Sequence, residues 1–411
     1  MTRDVFVLVE SNTTGTGRLF PAAARALGLH PVLLAADPSR YASVGGAEVV
    51  RTETDDVRAV VDACRGLAVG RRVAGVATSS DYYVETAAAA AAALGLPANS
   101  PADLAAVRDK GTQRARLASA GVRVPRFTVA DTVEEVLAAA AEIGYPVVVK
   151  PVTGSGSLGV RLCADPEQTA RHARAVLFRE SDERGRPVPR RVTVEEFVSG
   201  GEYSVEVLDG TAAGITAKHL GAQPLFVETG HDFPAALAPA VREAVTKAAE
   251  AAVRALGIVL GPAHVELRLG PAGPVLIEVN PRLAGGWIPR LVQEATGTDL
   301  ILGTVAAFSG LPSPVAVTAA RGAAIRFVVP AESGRLRRID GVARACAVPG
   351  VVDVETYREP GTEITVSGDF RDRIGHVLAR GATAAEAAAA AEEGVGRITP
   401  SLVVRREGVP A

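Results

Sequence analysis

The chain has 411 residues, enough for two or three domains, and its 44 basic and 46 acidic side chains leave a net charge of −2. Acids and bases are well mixed, so no basic stripe suggests nucleic acid and no polybasic tract a membrane surface; a single Trp leaves little to stack bases on. Cys64, Cys163 and Cys346 are far apart and odd in number, which builds neither a metal spacing nor a disulfide framework; with no signal peptide and no convincing membrane span, a cytoplasmic α/β protein is expected.

Residues 4–10 (DVFVLVE) read as a buried strand. The loop SNTTGTGR, the helix LFPAAARALG and a second strand at 31–35 follow. Strand, helix and strand in that order predict a parallel sheet. Gly15-Thr16-Gly17 is only part of the G-x-G-x-x-G dinucleotide fingerprint, which leaves a substrate loop at the carboxyl end of the first strand as the better reading. Residues 73–78 predict a further strand. Asp81 and Glu85 stand at a helix start, where capping and the helix dipole account for them. LGLPANSP (94–101) punctuates the chain and closes a first domain, 1–101.

The helical segment 101–121 carries Lys110. Residues 145–150 (YPVVVK) form an apolar strand that ends in Lys150. A buried ammonium needs an anion, and a strand end sets it at the ligand edge of a sheet. PVTGSGSLGV follows at once. Its glycines Gly154, Gly156 and Gly159, with Thr153, Ser155 and Ser157, make a loop of bare backbone N–H groups suited to covering phosphates, although no G-K-[ST] follows as in a Walker A loop. Residues 178–191 are an exposed, Arg-rich connection. In VTVEEFVSGGEYSVEVL two strands flank the bend SGG, and Glu195, Glu196 and Glu202 mark its edges; such a hinge can line a purine pocket with backbone groups and Phe197. Lys218 and His219 close the next strand. Glu228 and His231 then fall in a loop before a helix, where a charged pair serves as a cap or a ligand contact.

The most informative stretch is AHVELRLGPAGPVLIEVNPR, residues 263–282, which reads as a β-hairpin turning on GPAG. Pairing about Ala272 sets Glu266 opposite Glu278, Leu267 opposite Ile277 and Val265 opposite Val279. Alternation then gathers Val265, Leu267, Leu269, Ile277 and Val279 on one face, and Glu266, Glu278 and Asn280 on the other. Two opposed carboxylates destabilise a sheet, so a positive charge is expected between them. Oxygen donors of this kind are what Mg²⁺ prefers, and Arg282 just beyond can hold an anion beside the metal. A Gly-rich turn with Trp287 and a helix come next. Residues 311–319 read as a linker. The remainder (GAAIRFVVP, VVDVETY, TEITV, a helix ATAAEAAAAAEEGVG and a strand SLVVR) reads as a small α+β domain with Arg326 in its first strand.

Taken together, RDK at Lys110, PVVVK at Lys150, TGSGSLG, VEEFVSGGEYSVE and HVELR…PVLIEVNPR resemble, in order and spacing, the ATP-grasp superfamily of carboxylate–amine ligases over residues 1 to about 310. The tail resembles the C-terminal domain of the biotin-carboxylase-like members. The resemblance implies an ATP-grasp fold of class α/β, with an N-terminal parallel-sheet domain (1–101), an ATP-grasp domain (102–310) whose lid is about 120–200, and a C-terminal α+β domain (311–411). It implies that Lys110 and Lys150 hold ATP phosphates under the loop Ser155-Gly156-Ser157. Adenine goes to Glu195, Glu196 and the backbone at Phe197 and Val198, and the ribose to Glu202. Mg²⁺, or Mn²⁺ in its place, goes to Glu266, Glu278 and Asn280. Arg282, Lys218 and Arg326 are the implied catalytic cations.

Within the superfamily, ETGH and NPRLAGGWIP are similar to the dipeptide-forming L-amino-acid ligases, which implies an amino-acid site at Glu228, His231, Arg282, Gly285 and Trp287. Where a bacterial dipeptide ligase of that group carries Ser-Ala-Ala-Arg, this chain has Val279-Asn280-Pro281-Arg282 and follows the general ATP-grasp pattern. The implied reaction joins two amino acids through an acyl phosphate in a biosynthetic pathway. Small amino acids are its partners, with neither nucleic acid nor membrane, and a homodimer is expected from the resemblance alone. An ATP-grasp carboxylase that makes carboxyphosphate from bicarbonate, and an ATP-binding regulatory protein without turnover, stay open at this point. A nicotinamide oxidoreductase, resting on one partial glycine motif, is more distant.

Overall fold

Val5–Val9 is buried along its whole length, as an apolar run covered on both faces of a parallel sheet must be. It sits inside a four-stranded parallel sheet in the order Glu48–Arg51, His30–Ala35, Val5–Val9, Val73–Ala77. The computed structural model describes residues 3–12, 15–41, 45–182 and 184–403. Thr13 and Thr14 of the glycine–threonine loop, Glu183 of the Arg-rich connection, and Val404 and Arg405 of the last expected strand lie outside the described residues. The chain folds as two units: Met1–Val124 with Ser204–Ile215 and Leu237–Thr318, and Pro125–Tyr203 with Thr216–Ala236 and Ala319–Ala411. Sequence order suggests three consecutive domains. The division differs because the strands Glu202–Leu208 and Thr211–Leu220 each begin in one unit and end in the other.

In the first unit, the helices Val57–Leu67 and Val84–Ala93 contribute Val60, Val61, Cys64, Ala87, Ala90 and Ala91 to a core shared with the parallel strands. Strand order steps away from Val5–Val9 on both sides, which opens a crevice at its carboxyl end. There Ser11 Oγ lies 2.8 Å from Ser79 Oγ, and the Asn12 N–H donates to Ser79 Oγ at 2.9 Å. Gly17 closes over them so tightly that a Cβ would stand 2.7 Å from the Asn12 carbonyl oxygen. The partial glycine motif therefore serves a close backbone approach at this crevice. The same unit holds the hairpin Pro262–Gly270 and Gly273–Asn280, the long helix Pro239–Ala255, and the helices Ile288–Thr296 and Leu300–Phe308.

In the second unit, Phe127–Ala130, Val192–Glu196, Val147–Pro151 and Arg161–Cys163 form an antiparallel sheet in that order. Helices Val133–Ile143 and Pro166–Leu177 cover it, the first opened by a complete capping box between Thr132 and Glu135. A further antiparallel set runs from the end of Thr211–Leu220 through Glu228–Phe233, Gly322–Val328 and Gly375–Gly381 to Val351–Thr356. The alanine-rich helix Ala384–Gly396 lies on it, packing Ala387 and Ala391 against Ala324 and Ala379. Among the described residues no helix is long and apolar enough to cross a membrane.

Residues 228–233 are a strand, not the loop that ETGHDF suggests. Few of them are apolar and none alternates cleanly, so the sheet hydrogen bonds on both sides, not burial, define the strand. Gly230 is required within it. A Cβ there would stand 2.6 Å from the Ile325 carbonyl oxygen and 2.8 Å from Arg326 Cδ. Gly230→Ala is expected to destabilise the second unit by about 1–3 kcal/mol through overpacking, read from the urea midpoint.

Candidate active site

The hairpin forms as expected at its open end. Glu266 pairs with Glu278, Val265 with Val279 and His264 with Asn280. Nearer the turn the expected register does not hold. The two-residue turn Pro271-Ala272 pairs Gly270 with Gly273, one residue out of step with the glutamates, and a bulge after Glu266 absorbs the difference. Leu267 thus faces Leu276, which is fully buried, and Ile277 leaves the apolar face.

Two neighbours bring positive charge against the opposed carboxylates. Lys110 Nζ lies 3.0 Å from Glu278 Oε1. Its place is set by Asp109, which breaks the expected single helix into Pro101–Arg108 and Lys110–Ser119 and caps the second through the Thr112 N–H at 2.8 Å. The other neighbour is His264, which sequence reasoning missed. Its Nε2 lies 3.0 Å from Glu266 Oε1 and its Nδ1 2.6 Å from Glu206 Oε1. Glu206, wholly buried, also accepts from the Ala284 N–H at 3.1 Å. Burial works against a charge on His264, but the Glu206 and Glu266 carboxylates outweigh it and push the imidazolium up to about 9. The signal was present: His264 is two residues before Glu266 and so shares its face.

Arg282 is also held in place. Its Nη2 lies 2.5 Å from Asp81 Oδ2 and its Nη1 donates to the Leu283 carbonyl at 2.8 Å. Burial opposes its charge, while Asp81, Glu278 and Glu266 raise its pKa above the usual value. Asp81 is therefore an ion-pair partner, beyond the capping role its position suggested. The Arg282 Nε is buried with no partner among the described residues. Trp287, just before the helix Ile288–Thr296, adopts φ 62° and is buried, with the Arg18 guanidinium 5.2 Å from its ring centroid. Beside it, Gly285 faces open space. Glu266 and Glu278 are each partly open, 18 % and 17 % exposed, and with Asn280 offer oxygen donors on one face. That donor set fits Mg²⁺, and the orphaned Arg282 Nε fits an anion near it.

In the second unit Lys150 Nζ lies 2.8 Å from Glu195 Oε2, both groups almost fully buried. The register that sets Val148 opposite Glu195 and Lys150 opposite Thr193 places the two side chains diagonally on one face. Glu196 points the other way, to Arg126 at 3.4 Å, so the two adjacent glutamates do not share a site. Val198 is buried and Phe197 half-buried. In the glycine loop, Gly154, Gly156, Ser157 and Gly159 all have positive φ. Ser157 Oγ donates to the Phe226 carbonyl at 3.2 Å, and a Cβ on Gly156 would strike the Phe370 ring at 2.5 Å, so the loop needs glycine there.

A second charged cluster in this unit centres on Glu228. Lys218 Nζ bridges Glu202 Oε1 at 2.9 Å and Glu228 Oε1 at 2.8 Å. The other Glu228 oxygen lies 3.2 Å from Arg373 Nη2 and 3.4 Å from His231 Nε2. Burial acts against the Glu228 charge, yet Lys218 and Arg373 hold its carboxyl well below the usual range. Burial, more than these neighbours, lowers the His231 pKa, so the imidazole is neutral near pH 7. Its ring meets Phe327 edge-on at 5.5 Å. Arg373 was not singled out from the sequence. Arg326 was, and it does not join the cluster. It lies on the opposite face of Gly322–Val328 from Phe327, with its guanidinium on Asp232 Oδ1 at 2.7 Å and Glu392 Oε1 at 2.9 Å.

Three family models match the chain: an ATP-grasp N-terminal domain over 21–98, an ATP-grasp domain over 143–290, and an L-amino acid ligase C-terminal domain 2 over 326–403. The uncharacterized protein y4rH of Sinorhizobium fredii is 39% identical over 92% of this chain and 78% of its own. Human carnosine synthase 1 is 30% identical over 70% of this chain, which spans 38% of that protein's length. The crystal structure of an L-amino acid ligase from Bacillus licheniformis superposes with a TM-score of 0.82 at 25% identity, covering 99% of this chain and all of that one.

Proposed function

The chain belongs to the ATP-grasp carboxylate–amine ligases, with the C-terminal domain of the L-amino acid ligases, and from that premise we propose that it joins two amino acids into a dipeptide, releasing ADP and phosphate. The observation that carries this reading is Glu228, a half-buried carboxylate held ionised within a charged cluster. It is suited to accept the ammonium of an amino acid. Bicarbonate has no such group to offer.

In the proposed first step a carboxylate oxygen of one amino acid bonds to the γ-phosphorus of ATP. The bond to the β–γ bridging oxygen breaks and ADP leaves. In the second step the amine nitrogen of the other amino acid bonds to the acyl carbon, and the carbon–oxygen bond to phosphate breaks. The attacking amine must be neutral, and His231, itself neutral near pH 7, is suited to take the ammonium proton. Arg282, its orientation fixed by Asp81, supplies a fixed positive charge for the phosphorylated carboxylate. Lys110 and Lys150 are the proposed phosphate cations, the first presented at a helix start and the second at a strand end. Glu266, Glu278 and Asn280 would hold Mg²⁺, which screens phosphate charge when bound; Mn²⁺ suits the same donors. An acyl phosphate hydrolyses in water, so the Gly154–Gly159 loop is proposed to cover it.

The test is ADP release from Mg-ATP across pairwise pools of amino acids, without bicarbonate. Release that needs two amino acids, and a dipeptide mass in the products, is the expected outcome. Release that needs bicarbonate or another acid, whatever amino acids are present, would overturn the dipeptide reading.

A further inference from the structure

Arg373 takes no part in the mechanism above, yet its position is closely fixed. On one side of it, the Asp372 carboxylate accepts from the Ser367 and Gly368 N–H groups at 2.7 Å each. On the other, the Ile374 N–H donates to the Val328 carbonyl at 2.9 Å. The guanidinium lies over the Phe327 ring, 4.5 Å from its centroid, and its side chain is 12 % exposed. A surface arginine kept for solubility would have neither the stacking nor the burial.

We infer that Arg373 is the receptor for the carboxylate of the amino acid whose ammonium Glu228 accepts, so that this cluster binds one substrate as a zwitterion. The inference rests on the amino-acid reading of the site given above. The Nε and Nη2 atoms of a guanidinium form one edge that grips a carboxylate through two parallel bonds. In Arg373 the Nη2 end of that edge meets Glu228, while the Nε end is buried and has no partner among the described residues. Phe327 covers one face of the guanidinium and holds that edge toward Glu228. His231 Nδ1, fully buried, likewise has no partner. Charge points the same way. In these pairs each carboxylate, Glu202 or Glu228, meets a cation, Lys218 or Arg373, and His231 is neutral. A zwitterion with its ammonium on Glu228 and its carboxylate on Arg373 keeps that balance. A carboxamide would leave the buried Nε without an anion, and a simple acid would leave Glu228 without a cation.

The test is saturation-transfer NMR on the full chain with Mg²⁺ and a non-hydrolysable ATP analogue. The probe is an equimolar mixture of the proteinogenic L-amino acids and their carboxamides. The native protein is expected to favour one or more free amino acids over the matching carboxamides by about tenfold or more. In Arg373→Met, which keeps an apolar stem on Phe327, that preference is expected to collapse to near unity, and Arg373→Lys should restore part of it. Binding of the ATP analogue serves as the folding control, and Glu228→Gln, with its neutral amide, provides a second arm by weakening amino acids and carboxamides alike. Equal binding of acids and amides by the native protein would overturn the inference. So would a preference that survives in Arg373→Met, and if two amino acids still drive ADP release in that variant, the ligase reading stands without it. No transfer to any amino acid would sink both.

Discussion

Glu278→Gln is expected to lower kcat/KM for ADP release on the order of a thousandfold. The amide keeps the shape and one oxygen but loses the charge that, with Glu266 opposite, fits the hairpin face to the proposed cation site. It also removes the anion beside Lys110, whose side chain is almost buried. The amide oxygen can still accept from that ammonium, so the loss of stability is held to about 1–3 kcal/mol. A raised Mg²⁺ requirement at unchanged ATP-analogue affinity would place the defect at the metal. Activity within a few-fold of native would mean that Glu278 only neutralises Lys110 and that the hairpin is not the metal site.

The second large effect is on stability. His264→Leu leaves Glu206 fully buried without its cation, and the Ala284 N–H alone does not compensate. A loss of roughly 3–5 kcal/mol is expected in urea titrations of the metal-free protein, with the slope unchanged. Converting Glu206 to Met in the same chain should recover much of it, since a well-packed apolar pair replaces a broken ionic one. The pH dependence follows from the raised pKa. His264 ionises at about 9 in the folded protein against 6.5 as a free side chain. Its stabilising contribution is therefore complete below the lower value and is lost as the pH rises through the upper one. Native stability should fall across that window, and His264→Leu should remove the slope. A native midpoint flat across that range would mean that His264 is neutral.

The parallel sheet and the hairpin were legible because each rests on local pattern: a continuous apolar run for Val5–Val9, and alternation broken by GPAG for the arms around Glu266 and Glu278. What lay hidden was set by tertiary contact. A bulge between Glu266 and Leu267 depends on how a two-residue turn closes, and neither arm's composition announces it. The strand Glu228–Phe233 has no apolar alternation, since its side chains serve a charged cluster on one face and Arg326 on the other. Gly334–Asp340 and Gly375–Gly381 went unread as strands for a similar reason: their charged and glycine residues mask the period. Among the site residues, Lys150 stood out as a charge ending an apolar strand, while Lys110 and Glu228 drew attention through the resemblance of RDK and ETGH. Arg373 did not, because it follows FRD in a polar turn, and only the fold shows that Phe327 lies beneath it. Arg326 illustrates the converse. Its place in an apolar strand drew attention, but strand alternation decides the face, and one residue's shift separates it from His231.

The most direct measurement follows one oxygen atom. Once the amino-acid pair is known, the acyl partner is supplied with ¹⁸O in both carboxylate oxygens, and the released phosphate is analysed by mass. If a carboxylate oxygen attacks the γ-phosphorus and the amine then breaks the acyl carbon–oxygen bond, each phosphate carries one ¹⁸O and the dipeptide retains the other. Unlabelled phosphate, or label in AMP, would contradict the acyl-phosphate route and with it the central claim that this chain couples a carboxylate to an amine through the γ-phosphate of ATP.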